Sequence, residues 1–547
     1  MLTLSAVAIL VLAALAHLSG GRVAREGGSL QRLLESRLII GVVFVSTFVV
    51  LWYSWAGWTP APVVHDELAY VFQAQVFARG MWALPAQPFP EFWTQPHILV
   101  EPMVAAKYFP GHALVLALGA LAGWMPLVPL LLQAGGGVLV YALARRVSSG
   151  GVALLTWIIW LFTPMVLFFG PSYFSEGTTA ICWLAGWYAL AEWRSTRKLP
   201  WLLAVALFTG WCTITRPLTG LAFAIPVGFV VLRQAAAERR WSDLALATLV
   251  GIAVLGIVPL WSAHTTGNWR VTPVALYTQY YLPFDVPGFG AVALPPARAL
   301  PPHLAHWVDS YASLHATHVP ARLPAILGQR LLFLFTSTWG MTSGVLGVFA
   351  LLGLFTASAE VAFAVGSSLL LIIVYLAYAT PARWTLYYFE STPALAYLTA
   401  AGLAAAAAMI GRPAGTPPSP GFRWSSPRWT GALVGVALSL LLPGMVAVSI
   451  VRRQHTGNMK YLRRFDGLLA SVHDPRAVMF VRHAESYNPL GTFVRNVANP
   501  DTARIWVVHD RGDAENARLL AVAHGRRAYL FDERQGRTYD YEARTAP

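Results

Sequence analysis

Leu38-Ile-Ile-Gly-Val-Val-Phe-Val-Ser-Thr-Phe-Val-Val-Leu-Trp-Tyr-Ser-Trp-Ala-Gly-Trp58 runs directly into Thr59-Pro-Ala-Pro-Val-Val-His65-Asp66-Glu67-Leu68-Ala69-Tyr70. The first stretch carries no charge and has the roughly 20 residues that an apolar helix needs to cross a bilayer. The second sets two adjacent carboxylates a few residues beyond the end of that helix. Behind them Leu68, Val71, Phe72 and Val76 recur at helical spacing. This predicts an amphipathic helix lying on the membrane surface and starting at the acidic pair.

Composition extends that reading to the whole chain. The 547 residues would suffice for several soluble domains, but 56% are hydrophobic and only 12% charged. Mean hydropathy is +0.55, whereas a soluble chain carries about 25% charged residues. The expectation is an all-α polytopic membrane protein with about twelve spans. A disordered chain, a collagen and a disulfide-stapled secreted domain are excluded. The net charge of +14 is assigned to Arg and Lys in cytoplasmic loops, so no nucleic-acid partner is expected. Cys182 and Cys212 both lie inside apolar runs and suggest neither a disulfide framework nor a thiolate metal site.

Charge sets the orientation. The apolar run Leu2–Leu18 is followed, not preceded, by Arg22, Arg25, Arg32 and Arg37. It therefore reads as an extra N-terminal span, with residues 1–37 ending in a cytoplasmic loop. The span at 38–58 then runs outward and delivers loop 59–110 to the exoplasmic face. Gly111–Trp124 is too short to span and reads as interfacial or re-entrant. Further spans are expected at Leu127–Leu143, 152–170, 176–193, 200–214, 218–233, 243–263, 341–357, 361–379, 386–410 and 430–450. A second exoplasmic loop covers 264–330, and 331–340 reads as a half-helix. The loop containing Arg412, Arg423 and Arg428 is expected to be cytoplasmic. Residues 38–450 form the membrane domain. From Val451 about a quarter of the residues are charged, as in a soluble chain. Apolar runs at 477–481, 505–508 and 528–531 alternate with helical patterns at 458–472 and 513–523. Residues 451–547 thus predict a small α/β domain, placed outside by the parity of spans.

The polar residues at the outer boundaries each carry two readings. Asp66 is a helix cap, with Glu67 favoured by the helix dipole, or a general base at head-group depth. Lys107, in Glu101-Pro-Met-Val-Ala-Ala-Lys107-Tyr108-Phe109-Pro110-Gly111-His112, is a partner for a lipid phosphate or a snorkelling lysine. Arg216 opposes the charge rule; it is a functional juxtamembrane charge or the partner of a loop carboxylate. Glu176 starts a helix or touches substrate. His264 and Arg270 open the second loop, and Arg383 sits among aromatics that also suit an interface belt. No nucleotide-binding glycine loop and no His-Glu-x-x-His motif occurs in the sequence, so a pre-activated donor in the membrane is the expected energy source.

The order of these features resembles the polyprenyl-phosphate-dependent glycosyltransferases of the GT-C fold. It resembles especially the bacterial branch similar to dolichyl-phosphate-mannose protein mannosyltransferases and aminoarabinose transferases. The resemblance covers about residues 38–410. It rests on Asp66-Glu-x-x-Tyr70, Lys107-Tyr-Phe-Pro-Gly111, Leu161-Phe-Thr-Pro164 with Glu176, Thr215-Arg216-Pro217, and Tyr387-Tyr-Phe-Glu-Ser-Thr-Pro393. It implies transfer of a sugar from a polyprenyl-phosphate donor to an extracytoplasmic acceptor by a multi-pass protein of the inner membrane. Asp66 corresponds to the catalytic aspartate, with Glu67 beside it. Tyr70, Lys107, Tyr108, Arg216, His264, Arg270 and Arg383 are candidates for holding the donor. Several relatives carry a Glu before the motif lysine, where this chain has Ala106. The resemblance assigns no definite cofactor and leaves a divalent metal open. A polytopic transporter or flippase of lipid-linked substrates is the main alternative, followed by an O-antigen-type ligase or polymerase and a non-catalytic scaffold.

Overall fold

In the computed structural model the described residues are 31–55, 60–298, 300, 302–340, 343–410, 427–484 and 493–541. The expected first span and the loop bearing Arg412 and Arg423 lie outside them. The described chain forms two compact units. One takes residues up to Pro60, Pro129–Val254 and Ala321–His455; the other takes Ala61–Val128, Leu255–Pro320 and Thr456–Pro547.

The first unit is helical, as its apolar runs demand. Helices form at Leu38–Ser54, Val128–Val147, Glu176–Thr196, Leu199–Thr215, Pro217–Ala237, Trp241–Leu255, Leu323–Trp339, Ala359–Tyr375 and Thr392–Ile410. Among the described residues, four helices are long and apolar enough to cross a membrane: Met125–Val147, Pro217–Ala237, Trp241–Thr266 and Leu433–Lys460. Other expected spans appear as shorter apolar helices, including Leu38–Ser54 and Leu199–Thr215. Proline explains one break. The run at 152–170 stops at Leu161 and restarts at Pro164, because proline starts a helix well but restricts the residue before it. Val42, Val45, Val49, Phe229, Leu232 and Ile252 remain exposed, an apolar surface suited to lipid.

Interhelical packing in this unit uses small residues and polar links. A Cβ added to Gly353 would collide with the carbonyl of Leu398, and one on Gly402 with that of Phe349. Helices Ser343–Leu354 and Thr392–Ile410 therefore approach backbone to backbone. Trp157 Nε1 donates to Thr47 Oγ1 at 2.9 Å, and Trp339 Nε1 donates to Thr399 Oγ1 at 3.1 Å.

The second unit carries the strands. Residues Leu84–Pro85 (β1), Ile98–Leu99 (β2) and Met103–Ala106 (β3) make a small antiparallel sheet in the order β1-β3-β2. Helix His65–Ala78 packs on it, and helix Pro110–Leu121 packs on that helix. Ala69, Phe72, Val76, Ile98, Val104 and Ala106 form the core there. The second long loop is ordered into helices Pro273–Tyr281 and Pro302–Thr317.

In the tail, Ala477–Arg482 (β4), Ile505–His509 (β5), Arg527–Asp532 (β6) and Arg537–Asp540 (β7) form one sheet in the order β5-β4-β6-β7. β4 pairs in parallel with both β5 and β6, and β7 closes an edge antiparallel to β6. The three expected strands are present, and β7 is additional; its half-buried, polar Arg-Thr-Tyr-Asp sequence carries no apolar signal. Both faces of β4 are covered, which explains its unbroken apolar run. Phe92 and Trp93 of the first loop join Val478, Phe480, Val508 and Leu519 on one face. Val472, Phe493 and Val494 join Met479 and Val481 on the other. The expected boundary at 450/451 falls inside one helix, Pro427–Ser471. Composition changes there, but the residues at the junction are all compatible with a helix, so the backbone continues.

Candidate functional site

The start of helix His65–Ala78 separates the two carboxylates. Val64 is the N-cap in an extended conformation, which places Asp66 second and Glu67 third in the first turn. Glu67 Oε2 accepts the Val63 amide at 2.8 Å and the Val64 amide at 3.1 Å. The third position can reach back to the N-cap amide, whereas the second cannot. Glu67 is therefore the capping carboxylate, and of the two readings of Asp66 the helix cap is not the one seen. Glu67 is 2% exposed.

Asp66 is turned to other partners, with 30% of its side chain exposed. Tyr108 donates its hydroxyl to Asp66 Oδ1. Oδ2 lies 3.3 Å from His65 Nε2 and 3.8 Å from His97 Nε2. Burial, then the neighbouring Asp66 charge, holds the Tyr108 phenol well above its ordinary value, so it remains a donor. Tyr70, one turn along the helix from Asp66, stacks on Tyr108 with ring centroids 4.7 Å apart. Gln73, a further turn along, accepts the Ala106 amide at 2.9 Å and donates to Trp82 O at 2.9 Å. Asp66, Tyr70 and Gln73 thus read out one helix face against the end of β3, and fix where Lys107 and Tyr108 emerge.

His97 reaches the same place from just before β2. Its backbone φ is +64°, an uncommon conformation for a residue with a Cβ. Its amide donates to Tyr277 Oη at 2.9 Å, and its carbonyl accepts the Lys107 amide at 2.9 Å. His65 and His97 stack with centroids 4.5 Å apart. Together with Asp66 they offer three donor atoms within 4.8 Å of one another, the one such group suited to a cation among the described residues.

Lys107 is buried and pairs with Asp285 Oδ2 at 2.7 Å. Its ammonium lies over the rings of Tyr108 and Tyr277, 5.3 and 5.1 Å from their centroids. The structure therefore joins Asp66, Tyr70, Lys107 and Tyr108 in one polar cluster and adds His65, His97, Tyr277 and Asp285. His264 is exposed and stacks on Trp82 at 5.9 Å. Arg270 is exposed over its neighbour Trp269.

Arg216 and Arg383 belong to the other unit. Arg216 is buried and ion-paired with Glu176. It donates to Tyr375 Oη at 3.1 and 3.3 Å and lies 5.0 Å from the centroid of Tyr387. Of its two sequence readings, the carboxylate partner is the one seen. Thr179 donates to Glu390 Oε1 in the same unit. Arg383 is exposed. Arg330, which drew no notice in the sequence, is 1% exposed and binds the carbonyls of Tyr375 and Tyr378 at 2.6 and 2.7 Å.

No family model and no curated protein matches this sequence. Solved structures do. The chain is similar to ArnT from Cupriavidus metallidurans in the apo state, with 14% identity and a TM-score of 0.50 over 89% of this chain and 92% of that one. For ArnT from the same organism bound to undecaprenyl phosphate, the figures are 14%, 0.49, 90% and 93%. For the arabinosyltransferase EmbB from Mycobacterium smegmatis they are 13%, 0.44, 78% and 41%. At these identities the likeness concerns fold, and the fold is the GT-C fold whose motifs the sequence resembles.

Proposed function

We propose that this protein is a membrane glycosyltransferase that moves a sugar from a polyprenyl-phosphate donor to an extracytoplasmic acceptor, with Asp66 as the general base. One observation carries the reading. Glu67 takes the capping task, leaving Asp66 partly exposed and oriented by Tyr108, over whose ring the buried Lys107 ammonium also lies. A carboxylate so held can take the proton of an acceptor hydroxyl. The hydroxyl oxygen forms the new bond to the anomeric carbon. The old carbon–oxygen bond breaks, and its electron pair leaves on the polyprenyl phosphate. Direct displacement of this kind inverts the anomeric centre. Lys107 is assigned to the donor phosphate, whose charge would replace that of Asp285 on the ammonium. Arg216 would reach a phosphate only by exchanging Glu176, so a supporting part is assigned to it. Glu67 is assigned to positioning. The first loop and the tail are assigned to the exoplasmic side of the inner membrane.

The test is transfer from polyprenyl-phosphate sugars by the purified protein in liposomes. Asp66→Asn should lower transfer on the order of 10²-fold or more while leaving folding intact. A folded Asp66→Asn protein that transfers sugar at the wild-type rate would sink the assignment.

A further inference from the structure

We infer that the tail segment 493–499 is a positioning element for the cluster around Asp66, and that Asn496 is the residue through which it acts. The effect on transfer rests on the reading of Asp66 and Lys107 given above. The hold of the tail on the first loop stands apart from that reading.

The segment is anchored at its root and grips at its far end. Phe493 and Val494 are buried against Met479 and Val481 in the core of the tail sheet. Asn496 then reaches the first loop. Its Nδ2 donates to Trp93 O at 2.8 Å and to Gln95 Oε1 at 3.2 Å, and its backbone amide donates to Gln95 Oε1 at 2.8 Å. His509 of β5 holds the residue between them, donating from Nε2 to Thr94 O at 2.7 Å. Two residues beyond Asn496, Ala498 enters the core formed by Ala69 and Phe72 of the helix that bears Asp66, Ile98 of β2 and Ala106 of β3. The tail therefore packs on both elements from which the Asp66 and Lys107 side chains emerge.

The path from Asn496 to the cluster is short and stiff. Gln95 is 3% exposed, and its carbonyl accepts the Ile98 amide at 3.2 Å. That bond closes a turn containing Pro96 and His97. Proline has a fixed φ and restricts the residue before it, and His97 is held at φ +64°. The turn thus has little freedom to absorb a shift of Gln95. From it, the His97 imidazole lies 3.8 Å from Asp66 Oδ2, and the His97 carbonyl accepts the Lys107 amide at 2.9 Å. One turn accordingly supports the flank of the proposed base and the backbone of the lysine assigned to the donor phosphate. Catalytic groups keep their geometry through supporting bonds of this kind. A misplacement of about 1 Å can cost on the order of 10² in rate. Asn496 acts through Gln95 and His97, so its part is positioning.

The test uses the full-length protein in detergent. His97 accessibility is read by diethyl pyrocarbonate labelling mapped by peptide mass spectrometry, beside steady-state transfer. Wild-type His97, 7% exposed, should label slowly. Asn496→Asp keeps the size of the side chain but turns an acceptor toward Trp93 O and Gln95 Oε1. It should raise His97 labelling several-fold and lower kcat on the order of 10-fold or more, with KM changed less. Asn496→Gln, which restores a donor amide, should recover part of kcat. Val497→Thr, at the exposed neighbouring position, should leave both readouts unchanged. Hydrogen exchange of β4 reports whether the tail itself stays folded. If Asn496→Asp loosens β4, Gln95→Met removes the same link from the loop side and decides by the same two readouts. Unchanged His97 labelling, or raised labelling with a wild-type kcat, would overturn the inference. Raised labelling in the variants of a protein whose wild type transfers no sugar would retain the positioning and overturn the proposed function.

Discussion

Asp66 and Glu67 are adjacent and chemically alike, and one turn of helix gives them separate tasks. Glu67 reaches the backbone amides of Val63 and Val64, so Glu67→Ala should cost about 0.5–2 kcal/mol of stability. Thermal unfolding in detergent measures this. Asp66→Asn should leave the melting temperature nearly unchanged yet lower transfer on the order of 10²-fold or more. Tyr108→Phe removes one hydrogen bond to the base and should lower the rate roughly 10-fold, the scale of such a bond to a charged group. Lys107 and Asp285 make a second pair. Asp285→Asn strips the lysine of its counter-charge and should destabilise the protein on the order of 3 kcal/mol. If a donor phosphate occupies Lys107, polyprenyl phosphate should raise the melting temperature of Asp285→Asn more than that of wild type. Equal shifts would remove Lys107 from the donor site. The acidic pair and Lys107 were legible in sequence because each lies beside a span or an apolar helix. His97 and Asp285 were not. Nothing local marks them, and they meet the cluster only through chain folding across the two long loops.

At the scale of elements, the tail sheet and the first loop build a common core. Phe92 is fully buried and Trp93 2% exposed among tail side chains. Phe92→Ala should therefore cost about 3–5 kcal/mol, read as lost protection of residues 477–482 in hydrogen exchange. The same junction has a pH dependence. His509 Nε2 donates to Thr94 O at 2.7 Å, and its Nδ1 accepts from His483 Nε2 at 3.1 Å. Burial, then the neighbouring His483, pushes the His509 pKa down to about 3, with Arg511 adding to the effect. Once exposed, the imidazole returns toward about 6.5. The opened state then binds the extra proton between those values, so closure is fully stable above about pH 6.5 and weakens as pH falls toward 3. The protection factors of residues 89–100, corrected for the intrinsic pH dependence of exchange, should fall as pH drops through that window in wild type, and His509→Asn should flatten the dependence.

For the whole molecule, residues 61–110 of the first loop and the tail from Thr456 belong to one compact unit. Both should be labelled from the same, exoplasmic side. An impermeant thiol reagent on intact spheroplasts, with cysteines introduced in each segment, tests this. Cys182 and Cys212 are buried and should contribute little background. Labelling of one segment alone would break the proposed topology.

What the sequence determined by itself is what depends on local pattern. Apolar runs of spanning length, the charge drop across 38–450 and the three tail strands follow from burial of side chains at fixed period. The span at 152–170 shows the limit: hydropathy sees a continuous run, whereas backbone sterics at Pro164 divide it. The helix through 450/451 shows the converse, a compositional boundary that the backbone ignores. Only tertiary structure decided which carboxylate caps and which is exposed, that Arg216 is matched by Glu176, and that His65, Asp66 and His97 converge. The cap turns on the single residue at which the helix begins, and the other two outcomes on distances between residues far apart in the chain; hydrophobic periodicity carries no information about either.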